Sequence, residues 1–297
     1  MHHEPKHQHE NNDHHGRHAH DGHHSHEGGH DHQHVHPHPH EREHHHEHGH
    51  KHRGKPGRPV LTVRAAGGLS GDMMLSGLAS LVELDQAELD ALLAELRLPA
   101  LAGSLSLEER SVNAIGGWGA RVTLPPEHAH RSMADIEKLI RASAMPEPAM
   151  ELSLRAFGLL AEAEASVHGK SRDDVTFHEV GALDSILDIC LVCRIFCLLD
   201  PGRFICSPLP LADGSINCAH GRIPSPAPAV LRLLEGVPVR GFAGEGETVT
   251  PTAVALLKAL GAEFGLWPEF TVRKTVISYG AKVFPDLPNG AIWALGS

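Results

Sequence analysis

From Met1 to Gly57 the sequence contains no Leu, Ile, Phe, Trp or Tyr. A segment so poor in large apolar side chains cannot bury enough surface to offset the entropy of ordering it, which excludes a packed core there and predicts a disordered tail over residues 1–57. Long apolar runs are missing throughout. No stretch reaches the roughly 18 apolar residues of a membrane span, and the polar amino terminus does not read as a secretory signal. Basic charge is not in excess either: beyond residue 57 there are 28 acids against 20 Lys and Arg, which argues against nucleic acid as a partner. Cysteine is scarce and odd in number. Cys190, Cys193, Cys197, Cys206 and Cys218 crowd onto apolar segments instead of forming a disulfide framework, so a reducing, cytoplasmic setting is expected.

What the tail has is histidine. Of 28 histidines, 23 fall within the first 52 residues, in runs such as His14-His15 and His44-His45-His46 mixed with Asp, Glu and Gly. Neutral imidazole is a borderline donor for nickel, zinc, copper and cobalt, and a flexible chain of imidazoles can wrap several ions. The plainer readings are a solvated spacer or a purification tag, but a tag would be a short, uninterrupted run. Metal binding by these histidines is therefore expected, with no selectivity encoded, since affinity in such sites follows the general divalent order.

Folding is expected to begin near Arg58, and residues 58–297 suit one compact domain. Val60 to Ala65 reads as a strand, running through Gly67-Gly68-Leu69-Ser70-Gly71-Asp72 into an apolar periodic helix from Met73 to Leu84. Two readings of that loop stand side by side. Gly68, Ser70, Gly71 and Asp72 can bring backbone amides to the phosphate of a cofactor at a helix start, or the loop is a tight turn capped by Asp72. Further helices are predicted over 86–96, 133–144, 147–168, 183–199, 229–234 and 253–260, with strands near 204–211 and 271–278. Alternating strands and helices predict a mixed α/β (α+β) fold, one mixed sheet flanked by helices.

Chemistry concentrates around the 183–199 segment. It is apolar nearly all round, the mark of a buried helix, yet Asp184 and Asp188 lie four residues apart on one face. Buried like charges need a cation or a proton to compensate them. His178 and Glu179 just ahead, His220 on a proline-stiffened loop, and His128 and His130 two apart in an extended segment complete a candidate metal set of oxygen and nitrogen donors. Such donors suit nickel, manganese or magnesium better than structural zinc. The bland alternative has Asp184 capping the first turn of the helix and Asp188 paired with Arg194 or another basic residue. Cys190, Cys193 and Cys197 share a helical face and read as core residues.

At these residues the chain resembles the LarC-type nickel-insertion family. Gly68-Leu69-Ser70-Gly71-Asp72-Met73, His128-Ala129-His130-Arg131-Ser132, Phe177-His178-Glu179-Val180-Gly181-Ala182-Leu183-Asp184-Ser185, Cys206-Ser207-Pro208-Leu209-Pro210-Leu211, Cys218-Ala219-His220-Gly221, Pro226-Ala227-Pro228 and Val249-Thr250-Pro251-Thr252 fall in that family's order. The resemblance covers Pro59 to the end. It implies a lyase-type nickel chelatase, a cyclometallase that inserts Ni2+ into pyridinium-3,5-bisthiocarboxylic acid mononucleotide, the nickel-pincer nucleotide, in a CTP-dependent step that also uses Mn2+ or Mg2+. Arg64, Thr176, Ala253 and the Tyr279-Gly280-Ala281-Lys282 turn depart from the family's usual Asp, His, Gly and glycine-alanine-glycine. The chain stops where the family's first half stops. The part thought to handle CTP is accordingly expected from a partner chain, and a homo-oligomer is also open. The alternative function is a non-catalytic nickel or zinc store or delivery chaperone.

Overall fold

The structure, a computed structural model, describes residues 57–124, 131–177, 180–218, 221–282, 284 and 289–297. In chain order its strands and α-helices are β1 (Val60–Ala65), α1 (Gly71–Val82), α2 (Gln86–Glu95), β2 (Leu105–Val112), β3 (Ile115–Val122), β4 (Arg131–Ser132), α3 (Met133–Arg141), α4 (Glu147–His168), β5 (Thr176–Phe177), α5 (Leu183–Leu199), β6 (Arg203–Cys206), β7 (Leu209–Asp213), β8 (Ser215–Cys218), β9 (Gly221–Pro224), α6 (Pro228–Leu233), β10 (Val239–Glu245), α7 (Pro251–Ala259), β11 (Glu263–Phe264), β12 (Val272–Ser278) and β13 (Ala291–Gly296).

Local chemistry sets several of these boundaries. α2 and α3 each open on a capping box, Asp85 with Glu88 and Ser132 with Asp135, which satisfies free amides at the first turn. α7 opens on Thr250, whose hydroxyl accepts from the Ala253 amide at 3.3 Å, with Pro251 in the first turn. α4 stops at Gly169, whose φ of +62° is the left-handed exit that glycine takes without strain.

One seven-stranded sheet, in the order β11-β6-β1-β13-β12-β3-β2, organises the core. It is mixed. β1 runs parallel to β6 and antiparallel to β13, β12 pairs antiparallel with β13, and β2 with β3 form an antiparallel hairpin. α1 packs on β3, β12 and β13, α5 packs on α1, and α4 packs on α5, α6 and α7. This layering explains the composition of α5: enclosed by α1, α2, α4 and α7, it has Ile186, Leu187, Ile189, Leu191, Val192 and Ile195 all buried. The expected mixed α/β architecture is what the chain adopts. No helix among the described residues is long and apolar enough to cross a membrane.

Two features were not anticipated from the sequence. The β2–β3 hairpin turns at Asn113 and Ala114, with φ of 50° and 62°; its strands are half-exposed and rich in glycine and charge, so they lack the apolar alternation that announces a strand. β13, nearly the last segment of the chain, sits in the middle of the sheet between β1 and β12. Its Trp293 is fully buried and donates from Nε1 to the Ser278 hydroxyl at 2.8 Å.

Gly77 on α1 lies directly against the Trp293 indole, and a Cβ there would overlap the ring. At an exposed helical site Gly→Ala gains about 1 kcal/mol of propensity. Here the overlap outweighs it, because overpacking a closed core costs about 1–3 kcal/mol. Gly77→Ala is expected to shift the urea unfolding midpoint downward; a midpoint at or above that of the parent chain would refute the wedge.

Candidate functional site

The site begins with an absent side chain. A Cβ on Gly71 would lie 2.6 Å from Asp188 Oδ2 and 3.0 Å from Thr252 Cγ2, so the bare backbone at the start of α1 is what lets α5 and α7 close onto it. Asp188 occupies the resulting corner. The residue is half-buried, but its Oδ1 is enclosed and has no hydrogen-bond partner among the described residues. Burial, then the charges of Asp72 and Asp184, push its carboxyl well above the usual carboxylate range.

The pairing of Asp188 with Arg194 does not occur. Arg194 is held by Glu95 on α2, with Nε–Oε2 at 2.8 Å and Nη2–Oε1 at 3.1 Å. Asp184 does not cap α5 either; the cap position is Ala182, and Asp184 Oδ1 accepts from the Ser185 amide at 2.7 Å. Asp72 likewise lies inside the first turn of α1, where the cap residue is Ser70. Asp72 Oδ1 accepts from the Met73 amide at 2.9 Å and from the Ser70 hydroxyl.

Asp72, 116 residues before Asp188 in the chain, is thus the neighbour that sequence reasoning did not supply. Only Gly71 hinted at it, and that glycine had a local explanation. The other loop glycines also answer to close approach by the protein's own atoms. A Cβ on Gly68 would run into the Thr248 carbonyl oxygen, where Leu69 N donates to Thr248 O at 2.9 Å and Thr250 N donates to Leu69 O at 3.1 Å. A Cβ on Gly67 would meet Asn289. The loop is therefore stitched to the start of α7 by a parallel bridge, Leu69 with Val249.

Two cavities flank this corner. One, of about 680 Å³, lies over the loop and is lined by Gly68, Ser70, Asp72, Thr248, Gly280 and Lys282 among others. The second, of about 450 Å³, is walled by Asp184 and Ser185 at the start of α5 and by the first turns of α6 and α7. Both include Ile216, Glu247 and Thr250 in their walls, so they adjoin.

His128, His130, His178, Glu179 and His220, and the tail positions His14, His15, His44, His45 and His46, lie outside the described residues. Their chain neighbours do converge. Arg131 pairs with Phe177 in the β4–β5 ladder and donates from Nη1 to Gly181 O at 2.7 Å, while Val180 and Cys218 line the same 450 Å³ cavity. Among the described residues no three His, Cys, Asp or Glu side chains are grouped closely enough to hold a metal ion.

The remaining sequence features fall into place around this. Cys190 and Cys193 are buried and free, and burial raises the Cys190 thiol to about 12 and the Cys193 thiol as well, as befits core residues. Arg64 points away from the acids. Its register partner is Ile292, whereas Val63 beside it pairs with Trp293, the residue that packs on α1. The Arg64 guanidinium instead lies 4.6 Å over the Trp267 ring and donates to Gly265 O at 2.6 Å. Ala253 is buried within α7 and Thr176 is exposed on β5.

The α/β frame thus sets an acid-rich corner, Asp72, Asp184 and Asp188, beside two adjoining clefts. The model of the "Nickel insertion protein" family matches residues 61–294, and the chain belongs to that family. A protein of Myxococcus xanthus (strain DK1622) is 44% identical over 242 residues, covering 80% of this chain and 61% of the relative. One of Geotalea uraniireducens (strain Rf4) is 42% identical over 225 residues, covering 75% and 57%. Both carry the name "Putative nickel insertion protein". The chain spans about three-fifths of the length of these curated relatives. No solved structure matches it.

The raised Asp188 carboxyl has a stability consequence. Folding retains a proton that the unfolded chain releases above pH about 4, so Asp188 imposes no penalty below that value. The penalty then grows as pH rises toward the raised folded value, by at most about 1.4 kcal/mol per pH unit. Without added divalent metal, Asp188→Asn is expected to be more stable than the parent at pH 8 and to show the flatter stability profile between pH 5 and 8. Parallel profiles in chemical denaturation would count against the uncompensated acid.

Proposed function

We propose that the chain binds nickel in the cytoplasm and takes part in its insertion into the nickel-pincer nucleotide, pyridinium-3,5-bisthiocarboxylic acid mononucleotide. The observation that carries this reading is Asp188, whose Oδ1 is enclosed and without a hydrogen-bond partner among the described residues, under the charges of Asp72 and Asp184 while Arg194 of the same helix is bound to Glu95. Burying such a group is expensive unless a proton or cation joins it, and a divalent ion is the compensation that a nickel insertion family suggests. In this reading Ni2+ is the cargo. Asp72, Asp184 and Asp188 supply oxygen donors, and His128, His130, His178, Glu179 and His220 supply the rest. The histidine-rich tail gathers ions for delivery.

CTP with Mn2+ or Mg2+ is a poorer fit to these residues. Lys282 is the single Lys or Arg among the described lining residues of the two cavities, and its Nζ is already shared between the carbonyls of Glu245 and Glu247. A triphosphate needs more positive charge than that, so the nucleotide-consuming step is assigned to a partner chain. Storage or delivery alone is the second reading, favoured by the 23 histidines within the first 52 residues.

Nickel titration by calorimetry separates the two. The full chain is expected to take up several equivalents, and a chain beginning at Arg58 to keep one site that Asp188→Asn or Asp72→Asn weakens by at least about tenfold. If the shortened chain binds neither nickel nor the cofactor precursor, insertion is excluded and storage by the tail remains.

A further inference from the structure

The central sheet has a second face whose chemistry differs from that of the acid corner. Thr62 and Arg64 on β1 and Ile292 and Ala294 on β13 share that face by register, whereas α1 packs on the other through Trp293. What crosses it is the connection from β11 to β12, residues 265–271, because β6, β1 and β13 lie between those two strands in the sheet. Arg64 fastens this strap. Its Nη1 donates to Gly265 O at 2.6 Å, its guanidinium lies 4.6 Å over the Trp267 ring, and Trp267 stacks on Phe270 with centroids 6.3 Å apart. A Cβ on Gly296 would come within 2.9 Å of the Phe270 ring, and Thr62 and Ala294 are fully buried. The strap nevertheless turns further apolar surface outward. Leu266 is 87% and Trp267 52% exposed, and Val272, where β12 begins, and Ile292, the register partner of Arg64, are exposed as well. A soluble chain seldom leaves such groups together in water, and an aromatic ring already held in place is the kind of side chain that anchors an interface. The charges around it are balanced: Glu269 and Arg273 are both exposed, and neither has an ion-pair partner among the described residues.

We propose that this face binds a second copy of the chain about a two-fold axis, with Leu266, Trp267, Val272 and Ile292 at its centre and Glu269 of each copy opposite Arg273 of the other. An isologous contact requires a surface that complements itself, since whatever one residue meets in the mate, the mate's own copy of that residue meets in return. One unpaired acid and one unpaired base, four residues apart on an apolar ground, satisfy that condition. A partner of a single charge sign would leave one of the two unmatched. Arg64 and its strap lie on the face turned away from the acids, so this association stands apart from the nickel reading.

The test is sedimentation velocity on the full chain with a chelator present, which keeps the histidine-rich tail from bridging copies through metal. A reversible dimer is expected, with monomer appearing on dilution across about 1–100 μM. Leu266→Asp and Trp267→Ala are each expected to weaken it at least about tenfold. Glu269→Arg and Arg273→Glu alone are each expected to weaken it about fivefold. The two single variants mixed in equal amounts, or both substitutions in one chain, are expected to restore the parent affinity, because opposite charges then face each other again. Such rescue is a readout that mere damage to the fold does not give. A chain that stays monomeric over that range, a dimer indifferent to Leu266→Asp, or a loss in the single charge variants that neither mixing nor the double exchange repairs overturns the proposal.

Discussion

A single buried carboxyl sets the terms for the rest of this structure. Asp188 lies on a largely apolar helix, with Asp72 and Asp184 for neighbours and its Oδ1 without a hydrogen-bond partner among the described residues. Such a group is unfavourable inside a protein unless charge or protons are exchanged to neutralise it. The fold does not avoid this cost; it is arranged to incur it. Gly71 gives up a side chain so that Asp188 can press against the start of α1, and Thr252 on α7 closes the same corner. The neighbouring arginine, which would have ended the problem, is drawn across to Glu95 on α2.

The corner can persist because the scaffold around it is rigid. α5 is held by α1, α2, α4 and α7, and α1 is keyed to the sheet through the Gly77–Trp293 contact. The loop from β1 into α1 is sewn to the entrance of α7 by backbone hydrogen bonds on both sides of Leu69. The elements that carry the acids are therefore held together by close packing and by backbone hydrogen bonds.

Membership in the nickel insertion family and the chemistry of the corner point the same way, though they arise independently. The family match runs from β1 to β13, the whole of the central sheet. Carboxylates together with imidazoles are the kind of mixed ligand set that divalent first-row ions accept, which is the set proposed above. Arg64, one of the departures from the family's usual residues, lies on the face of the sheet turned away from the acids, stacked on Trp267. Lys282 is the departure that does reach a cleft, where it ties down the Glu245–Glu247 turn.

Much was legible before any fold was known. The bounds of α4 and α5, the caps of α3 and α7, the core role of Cys190 and Cys193, and the tension between an apolar helix and two aspartates all follow from residue spacing, because helix periodicity and capping are local properties. The β2–β3 hairpin and the central place of β13 were not legible, since strand partners are chosen by long-range packing and leave only a weak local pattern. The same divide runs through the site. That Asp184 and Asp188 share a helical face is written in their spacing. That Asp72 joins them, that Arg194 abandons them for Glu95, and that Gly71 exists to admit Asp188 were decided only when α1, α2, α5 and α7 packed together, because pairing between segments a hundred residues apart is a property of the tertiary fold.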